Sequence, residues 1–243
     1  MRFSRKNITF SNARAEMMEK PVVRVQNATK EYQLGKTTIL ALRGVSLEVR
    51  RGEFVCVAGP SGSGKTTLLN LIGCLDQPTS GKVEIEGREV TSLPSHELAR
   101  IRRQRIGFIF QTFSLIPVLS AYENVEFPLV LRGDHARQQG ERVRQILEAV
   151  GLEEVSDHRP DELSGGQQQR VAIARALVTE PTMVLADEPT ANLDSETGTA
   201  IIELMHRLSR QRGTTFVFST HDQKIMERAD RIVHLKDGLI ATP

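Results

Sequence analysis

The sequence predicts an α/β fold: a core with a mostly parallel sheet, a small antiparallel β subdomain and an inserted helical subdomain. Three observations carry this. The apolar, β-rich run FVCVA, Phe54 to Ala58, leads into GPSGSGKT, Gly59 to Thr66, and then into the helical pattern TTLLNLIG. From Gly166 onward helix-like and strand-like segments alternate, the mark of a parallel sheet covered on both faces. Between these two regions lies a long charged stretch with helical spacing.

Taken in order, the first twenty residues are polar and basic, with Arg2, Arg5, Lys6, Arg14 and Lys20, and have no apolar core of a secretory signal. Residues 1–20 are expected to be a basic flexible tail, or an upstream extension of a chain starting at Met17 or Met18. A basic arm touching anionic lipid is the alternative. Residues 21–243 are expected to be one domain. The runs VVRVQNA, VSLEV (Val45 to Val49) and KVEIEG (Lys82 to Gly87) read as the antiparallel strands. The helical subdomain is expected over about residues 93–165. Within it, Val143, Ile146, Leu147 and Val150 share one helix face, and Gly151 suits the stop. Then come the helix QQQRVAIARALV, the buried strand TMVLAD, the helix ETGTAIIELMHRLSR and the strand TTFVFST. A helix near Gln223 to Arg228 and the strand RIVHL close the pattern. That strand ends near Pro243, so no C-terminal regulatory domain is expected.

Composition narrows the function classes. The chain has 243 residues, 39% hydrophobic and 26% charged, and a net charge of +2. That charge is too small to argue for nucleic acid, and no nucleic-acid partner is expected. No apolar run approaches the roughly 20 residues of a membrane span, so any membrane work requires spans from another chain. Cys56 and Cys74 fit no zinc spacing and are expected to be buried thiols.

The glycine loop carries the first chemistry. Gly59, Ser61, Gly62, Ser63 and Gly64 would present backbone N–H groups to an anion at a helix N-terminus. Lys65 would reach the β- and γ-phosphates, and the hydroxyl of Thr66, followed by Thr67, would ligate Mg2+. The strand MVLADEP delivers two consecutive acids at its C-terminal end, where open α/β sheets bind ligands. Alternation along a strand would aim them oppositely. Asp187 would serve the Mg2+ shell, through water, and Glu188 would polarise an attacking water. The third element is LSGGQQQR, Leu163 to Arg170. There Ser164 can cap a helix, and Gly165 and Gly166 permit close backbone approach, giving a second phosphate-suited N-terminus.

GPSGSGKTT, VLADEP and LSGGQ together resemble the nucleotide-binding subunit of an ATP-binding-cassette (ABC) transporter, a P-loop NTPase, over nearly the whole chain. The resemblance implies ATP and Mg2+ as cofactors. It also implies roles for residues the spacing alone leaves open. Tyr32 would stack on adenine, and Gln111 would contact Mg2+ or water and sense the membrane partner. Asp194 would belong to the loop after the second acid, and His221 would contact the γ-phosphate. Ser164, Gly165, Gly166 and Gln167 of one copy would cover the ATP held by Lys65 of another in a head-to-tail dimer. The partners implied are a second copy and integral membrane permease subunits, with the chain peripheral on the cytoplasmic face of the plasma membrane.

The segment GFIFQTFSLIPVLSAYENVEFPL further resembles the branch containing LolD, MacB and FtsE, whose ATPases drive export, lipoprotein release or mechanical work on the permease. Leu115, Ile116 and Pro117 would form an exposed apolar patch for that permease, or else core packing. The intact Glu188 and LSGGQ argue against a non-hydrolysing regulatory cassette. One cassette without a long coiled-coil insertion argues against DNA-repair and translation ATPases.

Overall fold

The computed structural model describes residues 21–134 and 136–241. The predicted tail, residues 1–20, and Pro243 lie outside them. The chain opens with a long antiparallel hairpin, β1 (Pro21–Leu34) and β2 (Thr37–Arg50). The sequence pattern marks only the ends of this hairpin, because residues 37–40 are all exposed and carry no apolar alternation. The ladder and the turn at Gly35, φ 60°, hold that outer part.

β3 (Phe54–Ala58) follows, then the glycine loop and α1 (Lys65–Ile72). β4 (Ser80–Ile85) returns to pair with β1, and β5 (Arg88–Glu89) pairs with β4. The antiparallel sheet therefore runs β2-β1-β4-β5. After α2 (Ser95–Arg105) comes β6 (Ile106–Ile109). This strand lies inside the stretch expected to be helical, and it joins the main sheet instead. Four residues are too few for their period to stand out between charged neighbours.

The helical subdomain proper consists of α3 (Ala121–Arg132), α4 (Ala136–Val150) and α5 (Gly165–Leu177). Ser120 and Glu123 form a capping box at the start of α3. Val143, Ile146, Leu147 and Val150 are buried as one face of α4, and Gly151, at φ 71°, ends it. β7 (Met183–Ala186), α6 (Ser195–Arg212), β8 (Thr215–Thr220), the short α7 (Gln223–Met226), β9 (Arg231–Lys236) and β10 (Leu239–Ile240) complete the chain. The main sheet runs β10-β9-β3-β8-β7-β6, parallel except for β10.

Alternate residues of β3 feed two separate cores. Phe54, Cys56 and Ala58 pack with Phe216, Phe218 and α3 to α6, while Val55 and Val57 pack with α1 and the antiparallel sheet. The Phe54 ring lies 5.7 Å from Phe216 and 4.9 Å from Phe218. Each such ring contributes about 1.5–3 kcal/mol by leaving water. Cys56 and Cys74 fall in different cores, both free and buried, as expected. The result is a rigid sheet whose strands β3, β8, β7 and β6 all end on one side, each delivering a functional residue just beyond its end.

Candidate active site

The glycine loop connects β3 to α1 with no room to spare. A Cβ on Gly59 would stand 2.1 Å from the Leu235 carbonyl oxygen, and Gly64, at φ 103°, would place one 2.6 Å from that of Ala41. Lys65 is buried, and its Nζ donates to the Gly59 carbonyl at 2.8 Å and the Pro60 carbonyl at 3.1 Å. The Ser63 Oγ is buried and has no hydrogen-bond partner among the described residues. A loop that gathers backbone donors, a buried ammonium and an unsatisfied hydroxyl fits a phosphate chain.

The ends of β7 and β8 complete the cleft. The Thr66 hydroxyl donates to Asp187 Oδ2 at 2.8 Å, and the Ser219 hydroxyl donates to Asp187 Oδ1 at 2.6 Å. The Glu188 N–H donates to the same Ser219 oxygen at 2.9 Å. The two acids diverge, although strand alternation is not the cause. β7 stops at Ala186, and Glu188 lies at φ 46°, so a left-handed residue swings its carboxylate toward Lys65. That carboxylate sits 3.0 Å from His221 Nδ1 and 3.4 Å from Lys65 Nζ. The Cys56 thiol beneath is pushed up to about 12 by burial, with the Glu188 charge adding to it, so it stays a neutral packing group.

These groups open onto a cleft of about 400 Å³ lined by Ser61, Gly62, Gly64, Lys65, Thr66, Thr67, Gln111, Glu188 and His221. Ile39 and Leu40 of β2 border it, and the sequence pattern gave no sign of either. Ser219 is the other residue missed; its only signal is its place two residues before His221 in FSTHD. The Gln111 carbonyl accepts from Asn192 Nδ2 at 2.8 Å, tying it to the loop after Glu188. Tyr32 stands across β1 and β2 from Ile39, with its hydroxyl donating to Asp76.

The remaining predicted residues do not line this cleft. Ser164 caps α5 and forms a capping box with Gln167. Asp194 caps α6, accepting from the N–H groups of Glu196 and Thr197, and the Thr197 hydroxyl together with these N–H groups holds its carboxyl below the ordinary range. The two helix starts touch: a Cβ on Gly166 would stand 2.8 Å from the Thr197 methyl, and one on Gly165 would stand 3.3 Å from Leu193. Ser164, Gly165, Gly166, Gln167 and Asp194 thus form a second cluster of their own. Leu115 packs on the core and the Ile116 N–H is held by the buried Asn124 at 2.8 Å. Leu115 and Ile116 are half-buried, while Pro117 and the adjoining Val118 are exposed; Leu75, Phe110, Phe127, Val130 and Leu131 are exposed apolar residues as well.

A buried lysine in a glycine loop, a Thr–Asp pair beside it and a Glu–His pair above it define a nucleoside-triphosphatase site. A family model described as ABC transporter matches residues 42–191. An uncharacterized ABC transporter ATP-binding protein of Thermotoga maritima is 50% identical over 221 residues, covering 91% of this chain and 94% of that protein. The macrolide export ATP-binding/permease protein MacB of Brucella melitensis is 45% identical across 90% of this chain, which spans 34% of it. Among solved structures, the dimeric post-hydrolysis state of the MJ0796 cassette, bound to ADP and Pi, superposes with TM-score 0.83 at 47% identity, covering 90% and 97% of the two chains. The chain belongs to the ABC transporter family, as an ATP-binding, ATP-hydrolysing cassette.

Proposed function

We propose that this chain hydrolyses ATP between two head-to-tail copies of itself and thereby drives a separate membrane permease. The observation that carries the chemistry is the convergence on one cleft of Lys65, the Thr66–Asp187 pair and the Glu188–His221 pair. Lys65 and the loop N–H groups hold the β- and γ-phosphates. Glu188 accepts the proton of the attacking water, and His221, whose Nδ1–H donates to that carboxylate, keeps it oriented and contacts the γ-phosphate. Tyr32 bears the adenine. Thr66, Asp187 and Gln111 would hold Mg2+, with Asp187 acting through water. Bound there, the ion would supply neutralisation of the phosphate charge. Among the described residues no three His, Cys, Asp or Glu side chains cluster to cage a metal. An ion shared with phosphates needs no such cage.

The second cluster supports a dimer. Ser164, Gly165, Gly166 and Gln167 line no part of this chain's own cleft, yet they surround a helix start suited to phosphate. Supplied by a second copy, they cover the γ-phosphate from the open side, with Asp194 beside them. The MJ0796 cassette is itself dimeric with ADP and Pi. ATP then favours the closed pair and hydrolysis releases it. Ser164→Arg is expected to abolish ATP-dependent dimerisation in size exclusion while leaving ATP binding to the monomer intact. Loss of monomer binding would put Ser164 in the chain's own site.

The permease reading has its own support. A groove of about 430 Å³ beside Gln111 is lined by Leu75, Phe108, Phe110, Pro128 and Leu131, and flanked by Arg102, Arg103 and Arg175. Arg175 donates to the Phe113 and Ser114 carbonyls at 2.8 and 2.5 Å, on the segment that follows Gln111. A cytoplasmic segment of the permease seated there would reach the cleft through that segment. No described helix is long and apolar enough to cross a membrane. In this reading the chain acts from the cytoplasmic face of the plasma membrane, in export, lipoprotein release or mechanical work on the permease. Leu131→Asp is expected to abolish co-purification of the permease from membranes without lowering basal ATP turnover. Retained co-purification would move the docking site elsewhere.

A further inference from the structure

Asp76 does more than end a helix. It follows α1, where the Leu75 and Asp76 N–H groups both reach the Asn70 carbonyl, at 2.9 and 3.3 Å. Its carboxylate is divided between two residues of β1. Oδ1 accepts from Lys30 Nζ at 2.6 Å and from the Gln77 N–H at 2.7 Å. Oδ2 accepts from the Tyr32 hydroxyl at 2.8 Å. Lys30 also donates to the Gln77 carbonyl at 2.8 Å and stands 5.0 Å from the centre of the Tyr32 ring.

An aromatic ring on the outer half of a hairpin ordinarily swings about two side-chain torsions. Tyr32 cannot. Its hydroxyl is tethered to a carboxylate anchored on α1, and one ring face carries the Lys30 ammonium. A flat base is thereby left the opposite face, at a height set by α1, the helix whose first turn holds the phosphates. We infer that Asp76 is a positioning residue that sets Tyr32 for the nucleobase, and so separates the affinity for a purine nucleotide from the affinity for its phosphates. This rests on the reading that Tyr32 bears the adenine. Asp76, Lys30 and Tyr32 are not among the residues that line the phosphate cleft. Burial alone would favour its neutral form; the donors Lys30, Tyr32 and the Gln77 N–H outweigh that and keep it a carboxylate.

The test compares two ligands by calorimetry on the full chain with Mg2+: ATP, and inorganic tripolyphosphate, which has no base. Asp76→Ala is expected to weaken ATP by about tenfold, the scale of a partly lost base stack, and to leave tripolyphosphate unchanged. Asp76→Asn, which keeps an acceptor for the phenol, is expected to recover most of the loss. Unchanged ATP affinity in Asp76→Ala overturns the inference. Equal weakening of both ligands also overturns it, because the defect is then in α1 and the loop. Tyr32→Ala separates the two levels. If it weakens ATP while Asp76→Ala does not, only the positioning role fails. If Tyr32→Ala leaves ATP binding unchanged, the adenine platform itself is lost, and the role of Asp76 with it.

Discussion

Glu188→Gln lowers steady-state ATP turnover by about 10²- to 10⁴-fold, the range a positioned general base contributes. The amide matches the carboxylate in shape and retains partners at the positions 3.0 Å from His221 and 3.4 Å from Lys65, so the cleft keeps its form. It cannot take a proton from water. It also removes a negative charge facing the γ-phosphate, so ATP binding is maintained or strengthened. The two effects together predict a trapped species: with Mg-ATP the variant accumulates as a dimer in size exclusion, and without nucleotide it runs as a monomer. Phosphate release measured on the same preparation provides the rate. Turnover equal to that of the unmodified chain removes Glu188 as the base. A monomer under both conditions removes the sandwich.

Lys65→Ala has the second large effect, on binding rather than on turnover. Lys65 is buried, with its ammonium resting on two carbonyls that hold it beside the loop. A phosphate arriving there exchanges neutral acceptors for charged ones, and hydrogen bonds to charged groups are worth about 1.5–3 kcal/mol each. Losing them weakens ATP by about 10²-fold or more. The Gly59 and Pro60 carbonyls lose their donor as well, so some fold stability goes with it. Calorimetric titration with ATP, paired with a thermal melt, separates the two losses. Full affinity in a folded Lys65→Ala protein would refute the assignment of the loop to phosphate.

Much of the cleft is legible in the sequence because its parts are contiguous. GPSGSGKT and VLADEP each hold their chemistry within eight residues, and the strand before each is an apolar run. Thr66 and Asp187 lie 121 residues apart, and their contact follows once Thr66, in the first turn of α1 after β3, and Asp187, just beyond β7, are placed at the same end of the parallel sheet on either side of β8. What escaped lacks a local pattern. Ser219, which joins Asp187 to the Glu188 backbone, is one serine on a fully buried strand. Asp76 reaches Lys30 and Tyr32 across more than forty residues, in a loop whose composition announces only a turn. β6 was hidden within charged helical sequence. The opposite orientation of the two acids was inferred from strand alternation, but its cause is a turn at Glu188. The segment after Gln111 takes part of both alternatives: a buried Asn124, accepting from the Ile116 N–H and donating to the Ile116, Leu119 and Ser120 carbonyls, pins its backbone and half-buries Leu115 and Ile116, while Pro117 stays exposed.

The left-handed backbone at Glu188 pulls residue 188 in two evolutionary directions. A non-glycine residue held there costs on the order of 1–3 kcal/mol, and glycine occupies the same conformation freely. Selection for heat resistance alone would drift toward glycine at that position, while selection for turnover would restore the acid. A thermostabilised library of this cassette should therefore be sorted on phosphate release first, because the sturdiest clones at residue 188 would be the silent ones.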